Sequence, residues 1–120
     1  MANDFKNAIA QNVSNAAGGT TLYTTPATKT SIMLELDIAN TTQNVVEASV
    51  EILDSSVGAS AWRYLVKNAP VPSGGSLMVI AGQKIVLEER SGGTGDAIRI
   101  TSSAATSIDV VAAVLEDVNP

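Results

Sequence analysis

The sequence predicts an all-β protein, a single-domain β-sandwich of about eight antiparallel strands, immunoglobulin-like or jelly-roll in kind. Three observations predict it. Short runs of alternating apolar and polar residues recur along most of the 120-residue chain. Turn-forming Gly, Pro, Ser and Asn clusters separate those runs at close intervals. Val, Ile, Ala, Thr and Ser dominate, while the aromatics are limited to Phe5, Tyr23, Trp62 and Tyr64. No stretch carries the three-to-four-residue apolar spacing of a long helix.

Residues 1–17 are polar and rich in Asn and Ala. Phe5, Ile9 and Val13 are spaced by four, which suits one stripe of a short helix and equally one face of a strand. The segment is therefore read as an N-terminal arm or first strand, with the sandwich proper over 18–120. Gly18-Gly19 separates the two. Residues 20–25 form a β-branched run that ends at Pro26, where the ladder loses a donor.

Residues 31–53 organise the chain. Ile32, Leu34, Leu36 and Ile38 alternate with Met33, Glu35 and Asp37; Val46, Ala48, Val50 and Ile52 alternate with Glu47, Ser49 and Glu51. Each run has one apolar and one acidic face. The polar Asn40-Thr41-Thr42-Gln43 between them suits a turn, so the pair reads as an antiparallel hairpin. Its acidic face either tolerates some repulsion or has a cationic neighbour such as Arg63 or Arg99.

A Ser-rich turn over 54–60 leads to a strand over 61–67, and the Pro- and Gly-rich 68–75 to a strand over 76–81. Beyond Gly82, residues 84–89 read as another strand. The turn at 91–95 precedes a strand over 96–101 with Ile98 and Ile100 inward and Arg99 outward. A polar corner at 102–107 leads to a last strand over 108–115, apolar enough on both parities to be covered on both faces. Residues 117–120 are a tail.

Composition excludes much chemistry. There is no Cys, which removes thiolate nucleophiles, disulfides and Cys-based metal sites, and no His, which removes the usual triads and most transition-metal sites. Seven basic against twelve acidic residues give a net charge of −5, without the basic footprint that nucleic acid or an anionic membrane requires. No apolar run approaches the ~20 residues of a membrane span. Residues 1–6 lack the layout of a signal peptide, so synthesis in the cytoplasm is expected.

The glycine clusters at 17–21 and 91–96 lack the Gly-Lys-Ser/Thr ending of a phosphate loop, and neither opens a helix. The carboxylates Glu35, Asp37, Glu47, Glu51 and Glu88-Glu89 suit a solvated acidic face better than a glycosidase pair, which needs a cleft and one buried acid. No calcium-loop pattern occurs. The expectation is a non-enzyme with no cofactor and no metal.

Trp62 and Tyr64 share one strand face, as core filling, as interface anchors or as a sugar-stacking platform. Met33, Val45, Leu53, Leu65 and Met78 lie on the parity opposite to the chosen core and are candidates for an apolar patch covered on assembly. The candidate interface residues are Phe5, Ile9, Val13, Met33, Trp62, Tyr64, Leu65 and Met78.

The ordered segments Leu22-Tyr23-Thr24-Thr25-Pro26, Tyr64-Leu65-Val66-Lys67-Asn68-Ala69-Pro70-Val71-Pro72, Gly74-Gly75-Ser76-Leu77, Lys84-Ile85-Val86-Leu87-Glu88 and Ser107-Ile108-Asp109-Val110-Val111 give the chain a likeness that runs from Phe5 over most of its length. It resembles the small all-β virion structural proteins of tailed bacteriophages, of the marine and cyanobacterial phage type. Trp62 and the turn at 91–95 have no counterpart in that pattern. The resemblance implies a virion component and brings no catalytic residues with it. The leading expectation is a capsid decoration (cement) protein that binds the outer head surface, with the major capsid protein as partner. A homo-oligomer is expected, a trimer if capsid threefold positions set it. The alternatives are a tail or fibre adaptor that binds tail proteins, and a carbohydrate-binding module.

Overall fold

The structure, a computed structural model, describes residues 4–26, 28–54, 61–89 and 95–117. The expected turns at 55–60 and 91–94 and the tail at 118–120 lie outside the described residues. Eight strands form: β1 (Asp4–Ala10), β2 (Thr20–Thr24), β3 (Thr30–Asn40), β4 (Val46–Leu53), β5 (Trp62–Val71), β6 (Ser76–Glu88), β7 (Ala97–Ser102) and β8 (Ile108–Glu116).

They make two four-stranded antiparallel sheets, ordered β1-β8-β3-β6 and β2-β7-β4-β5. Strand 1 pairs with 8, 2 with 7, 3 with 6 and 4 with 5. A long hairpin rolled up on itself leaves these pairs, and the order is that of a jelly roll. The all-β sandwich is as expected, and of the two expected kinds the strand order is that of the jelly roll.

The hairpin expected over 31–53 does not form. β3 lies between β8 and β6 in one sheet, and β4 between β7 and β5 in the other. Both strands use their two ladder edges on other partners. The five residues between them cross the roughly 10 Å from sheet to sheet instead of turning back. Two further boundaries differ. The strands expected at 76–81 and 84–89 are one strand, β6, whose register against β3 jumps from Ala81 to Ile85 while β3 advances only from Glu35 to Met33. Residues 82–84 are thus a bulge and not a break, a common place for a strand glycine. β5 runs on to Val71 through Pro70, which its place at the sheet edge permits.

The N-terminal segment is built into the sandwich. β1 pairs with β8 from Asp4↔Glu116 to Ala10↔Val110. Beyond it the Val13 amide donates to the Ile108 carbonyl at 3.1 Å, and the Ser102 amide to the Ser14 carbonyl. Residues 4–17 are therefore part of the same unit as 18–117.

The core fills the space between the sheets. Met33, Leu36, Ile38, Ile80, Leu87, Val110 and Val114 meet Val46, Val50, Val71, Ile98 and Ile100 there. Each such side chain contributes about 1.5–3 kcal/mol by leaving water. The bulge between Met33 and Glu35 reverses the parity of β3. Ser31 and Met33 point inward before it, and Leu36, Ile38 and Asn40 after it. Ile32, expected inward, faces out.

Polar groups close the two ends. At one end the Tyr23 hydroxyl, from the second sheet, donates to Glu116 Oε2 at 2.6 Å and accepts from Ser31 Oγ at 2.8 Å. Lys6 Nζ holds the other oxygen of Glu116 at 2.7 Å. At the other end Asn40, almost fully buried, donates Nδ2 to the carbonyls of Asn44 and Val71. Its Oδ1 accepts from the amide and hydroxyl of Thr42.

Candidate interaction surface

The outward side chains of the first sheet stand out. Directly paired residues of antiparallel strands project to the same side, so the register defines rows across the four strands. One row is Phe5, Leu115, Ile32 and Val86, apolar throughout. The next is Asn7, Ala113 and Glu35. The third is Ile9, Val111, Asp37 and Met78. On β3 and β8 most of their neighbours along the strand fill the core, which leaves these side chains outside.

Phe5 is 77% exposed, Ile9 67%, Met78 60%, Val86 55% and Val111 50%. Five of the seven large exposed hydrophobics among the described residues thus lie on this one face. Strand spacing and rise give the three rows an area of roughly 350 Å². Asn7, Glu35 and Asp37 take part of it, so its apolar share comes near the lower end of the largest apolar patches found on monomers, which are often functional.

Two carboxyls sit in the middle. Asp37 lies between Val111 and Met78, and its Oδ1 is shut from solvent without a hydrogen-bond partner. Glu35 is exposed beside it, and its pKa is raised, first by the hydrogen bond it shares with Asp37 and then by the like charge.

The opposite face of the sandwich is chemically different. Thr21, Arg99, Glu51 and Tyr64 are paired in register across it. Arg99 meets Glu51 with two bonds, Nε–Oε1 at 3.1 Å and Nη2–Oε2 at 3.2 Å. Its guanidinium also stacks on Trp62, 4.0 Å from the ring centroid, and Lys67 Nζ lies 5.2 Å from that of Tyr64. Glu51 thus finds a cationic neighbour in Arg99; Arg63 instead donates to the Trp62 carbonyl. Glu35 and Asp37 face the other side, so there is no single acidic face.

The expected interface residues divide accordingly. Phe5, Ile9 and Met78 stand together on the outer face of the first sheet. Tyr64 is exposed on the second, where Trp62 is half-buried with one ring face taken by Arg99. Leu65 is partly buried and packs on the core. Val13 and Met33 are corrections: both are fully buried in the domain's own core and offer nothing to a partner. Of the other patch candidates, Leu53 is buried and Val45 exposed. Ile32, Val86, Val111 and Leu115 complete the face and were not singled out. Apolar residues on both parities of 108–115 were the one sequence signal for it.

Among the described residues no three acidic side chains come together as a metal site. No family model matches the chain, and no curated protein matches its sequence. Among solved structures it is similar to chains of two infectious bursal disease virus strains. For the Gx strain the identity is 14% and the TM-score 0.33, over 95% of this chain and 39% of that one. For the Gt strain they are 16% and 0.31, over 94% and 37%. The chain spans about two-fifths of the length of those chains. A likeness at that level says nothing of what this chain does.

Proposed function

We propose that the chain is a non-catalytic structural component of a tailed-phage virion, a decoration protein seated on the outer surface of the head. The outer face of the first sheet carries this reading. A compact sandwich with one face of roughly 350 Å² on which apolar side chains predominate is built to be covered by another protein. The ordered segments that resemble phage virion proteins support the same direction.

The area also bears on how the protein binds. A stable protein contact usually buries about 800 Å² per partner. One face of this size supplies less than half of that, so a single copy binds weakly. An oligomer that engages several equivalent head sites at once gains the missing affinity by multivalency. A trimer on threefold positions meets that need.

The test is direct. Heads purified without this protein are mixed with the full-length chain, and occupancy is measured by co-sedimentation. The reading expects saturable binding at a fixed ratio to the major capsid protein and a higher temperature of head disruption. No binding to intact heads overturns it.

A further inference from the structure

We propose that the outer face of the β1-β8-β3-β6 sheet docks on an apolar protein surface that carries one basic side chain, and that Glu35 and Asp37 together receive that cation. The inference rests on the head-binding reading and gives its contact a chemistry.

The row on one side of the pair, Phe5, Leu115, Ile32 and Val86, is apolar throughout, and Asp37 shares its own row with Ile9, Val111 and Met78, as the apolar centre of a protein contact requires; beyond it Asp109, Ala39 and Ser76 form a polar rim. The pair itself is what an uncharged partner would not tolerate. Asp37 Oδ1 is buried without a donor, and such an oxygen is costly until a donor reaches it. Glu35 is exposed in the free protein and would lose its water when the face is covered. Two adjacent carboxyls in a dry contact must either take up a shared proton or meet an opposite charge, because their repulsion grows as water leaves. A Lys or Arg set into an apolar surface answers both costs, supplying donors to Asp37 Oδ1 and a charge opposite to the pair.

The same charges argue against a second copy as the occupant. A twofold contact through this face would bring two acid pairs into one dry interface, which like-charge repulsion opposes. Lys6 on β1 is already committed to Glu116 at 2.7 Å, and the exposed Lys84 on β6 is one charge against the two acids of each copy. The occupant is therefore a different chain.

The experiment uses the full-length protein and heads that lack it. Wild type, the Glu35→Gln/Asp37→Asn double variant, Asp37→Lys and Val111→Asp are compared by co-sedimentation across a salt series. Thermal melts control for folding, and sedimentation velocity reports self-association. Binding is expected to weaken about tenfold in the double variant, which melts no lower than wild type and loses much of the salt dependence. Asp37→Lys and Val111→Asp are expected to abolish measurable binding. If the folded double variant and Asp37→Lys both bind heads as wild type does, this face is not the contact, and the head reading stands without it. If wild type itself does not bind, the head reading falls and this inference with it. If the chain self-associates and Asp37→Lys dissolves the oligomer, the occupant is a second copy and the proposal is overturned.

Discussion

Replacing Asn40 by alanine removes the polar clasp at one end of the sandwich. The amide makes four hydrogen bonds: Nδ2 to Asn44 O at 2.7 Å and to Val71 O at 3.0 Å, and Oδ1 from Thr42 N at 2.9 Å and Thr42 Oγ1 at 2.8 Å. The Asn44 and Thr42 groups lie near solvent, and water replaces most of what they lose. Val71 is fully buried, and its carbonyl has less access to water. An orphaned buried acceptor costs about 1–3 kcal/mol, and the three remaining bonds together add about 1 kcal/mol. The expected loss is therefore about 2–4 kcal/mol, a large part of the ~5–15 kcal/mol typical of a domain. At this chain length about 1 kcal/mol moves Tm by ~4 °C, so Asn40→Ala should melt ~8–16 °C below wild type. Thermal denaturation followed by circular dichroism gives the number. Thr42→Val, which removes only the hydroxyl side of the clasp, should lose less than half as much. A fall of under ~2 °C for Asn40→Ala would refute the assignment of this junction to the Asn40 amide.

Two further outcomes test other parts of the fold. Gly19 has φ +56°, and a Cβ there falls onto the carbonyl oxygen of Ile100 in β7; Gly19→Ala should cost on the order of 3 kcal/mol, read as a lower urea midpoint with an unchanged m-value. The Tyr23–Glu116–Lys6 tie sets a pH window. The hydrogen bond from Lys6 lowers the Glu116 pKa and that to Glu116 raises that of Lys6, while burial raises that of Tyr23. A depressed acid contributes above its unfolded pKa and loses this as pH falls through the folded value. Raised groups contribute below their unfolded pKa and lose this as pH rises. Stability from the tie should thus hold between about pH 5 and 10 and fade on both sides. Tyr23→Phe should lower stability by about 1–2 kcal/mol at neutral pH and flatten the alkaline side of the Tm–pH curve; an unchanged alkaline slope would refute the role given to Tyr23.

Much of the fold was legible locally. The alternation in 96–101 placed Ile98 and Ile100 inside and Arg99 outside, because β7 is regular there. Of the two expectations for the acidic residues, tolerated repulsion or a cationic neighbour, Glu51 meets the second in Arg99. Partners and parity were harder to see. Consecutive strands with a polar link look like a hairpin, and nothing local distinguishes a turn that reverses a strand from one that carries it to the other sheet. A bulge shifts parity by one residue, so Met33 and Ile32 exchange roles across the irregularity before Glu35. Val13 shares the spacing of Phe5 and Ile9, and nothing local separates it from them; its burial comes with the docking of its segment on the distant Ile108. The interaction face was half legible. Phe5 and Ile9 are marked by their spacing of four and Met78 by its parity, but only the strand order brings them beside Val111, Val86 and the Glu35–Asp37 pair.

The central claim is that this domain coats a phage head, and copy number tests it most directly. Quantitative mass spectrometry of purified virions would measure the chain against the major capsid protein. The account predicts a ratio near one or a simple fraction such as one-third, as equivalent lattice sites require. A handful of copies per particle would move the protein to the tail, neck or fibre and contradict decoration; its absence from virions would contradict a structural role in the particle altogether.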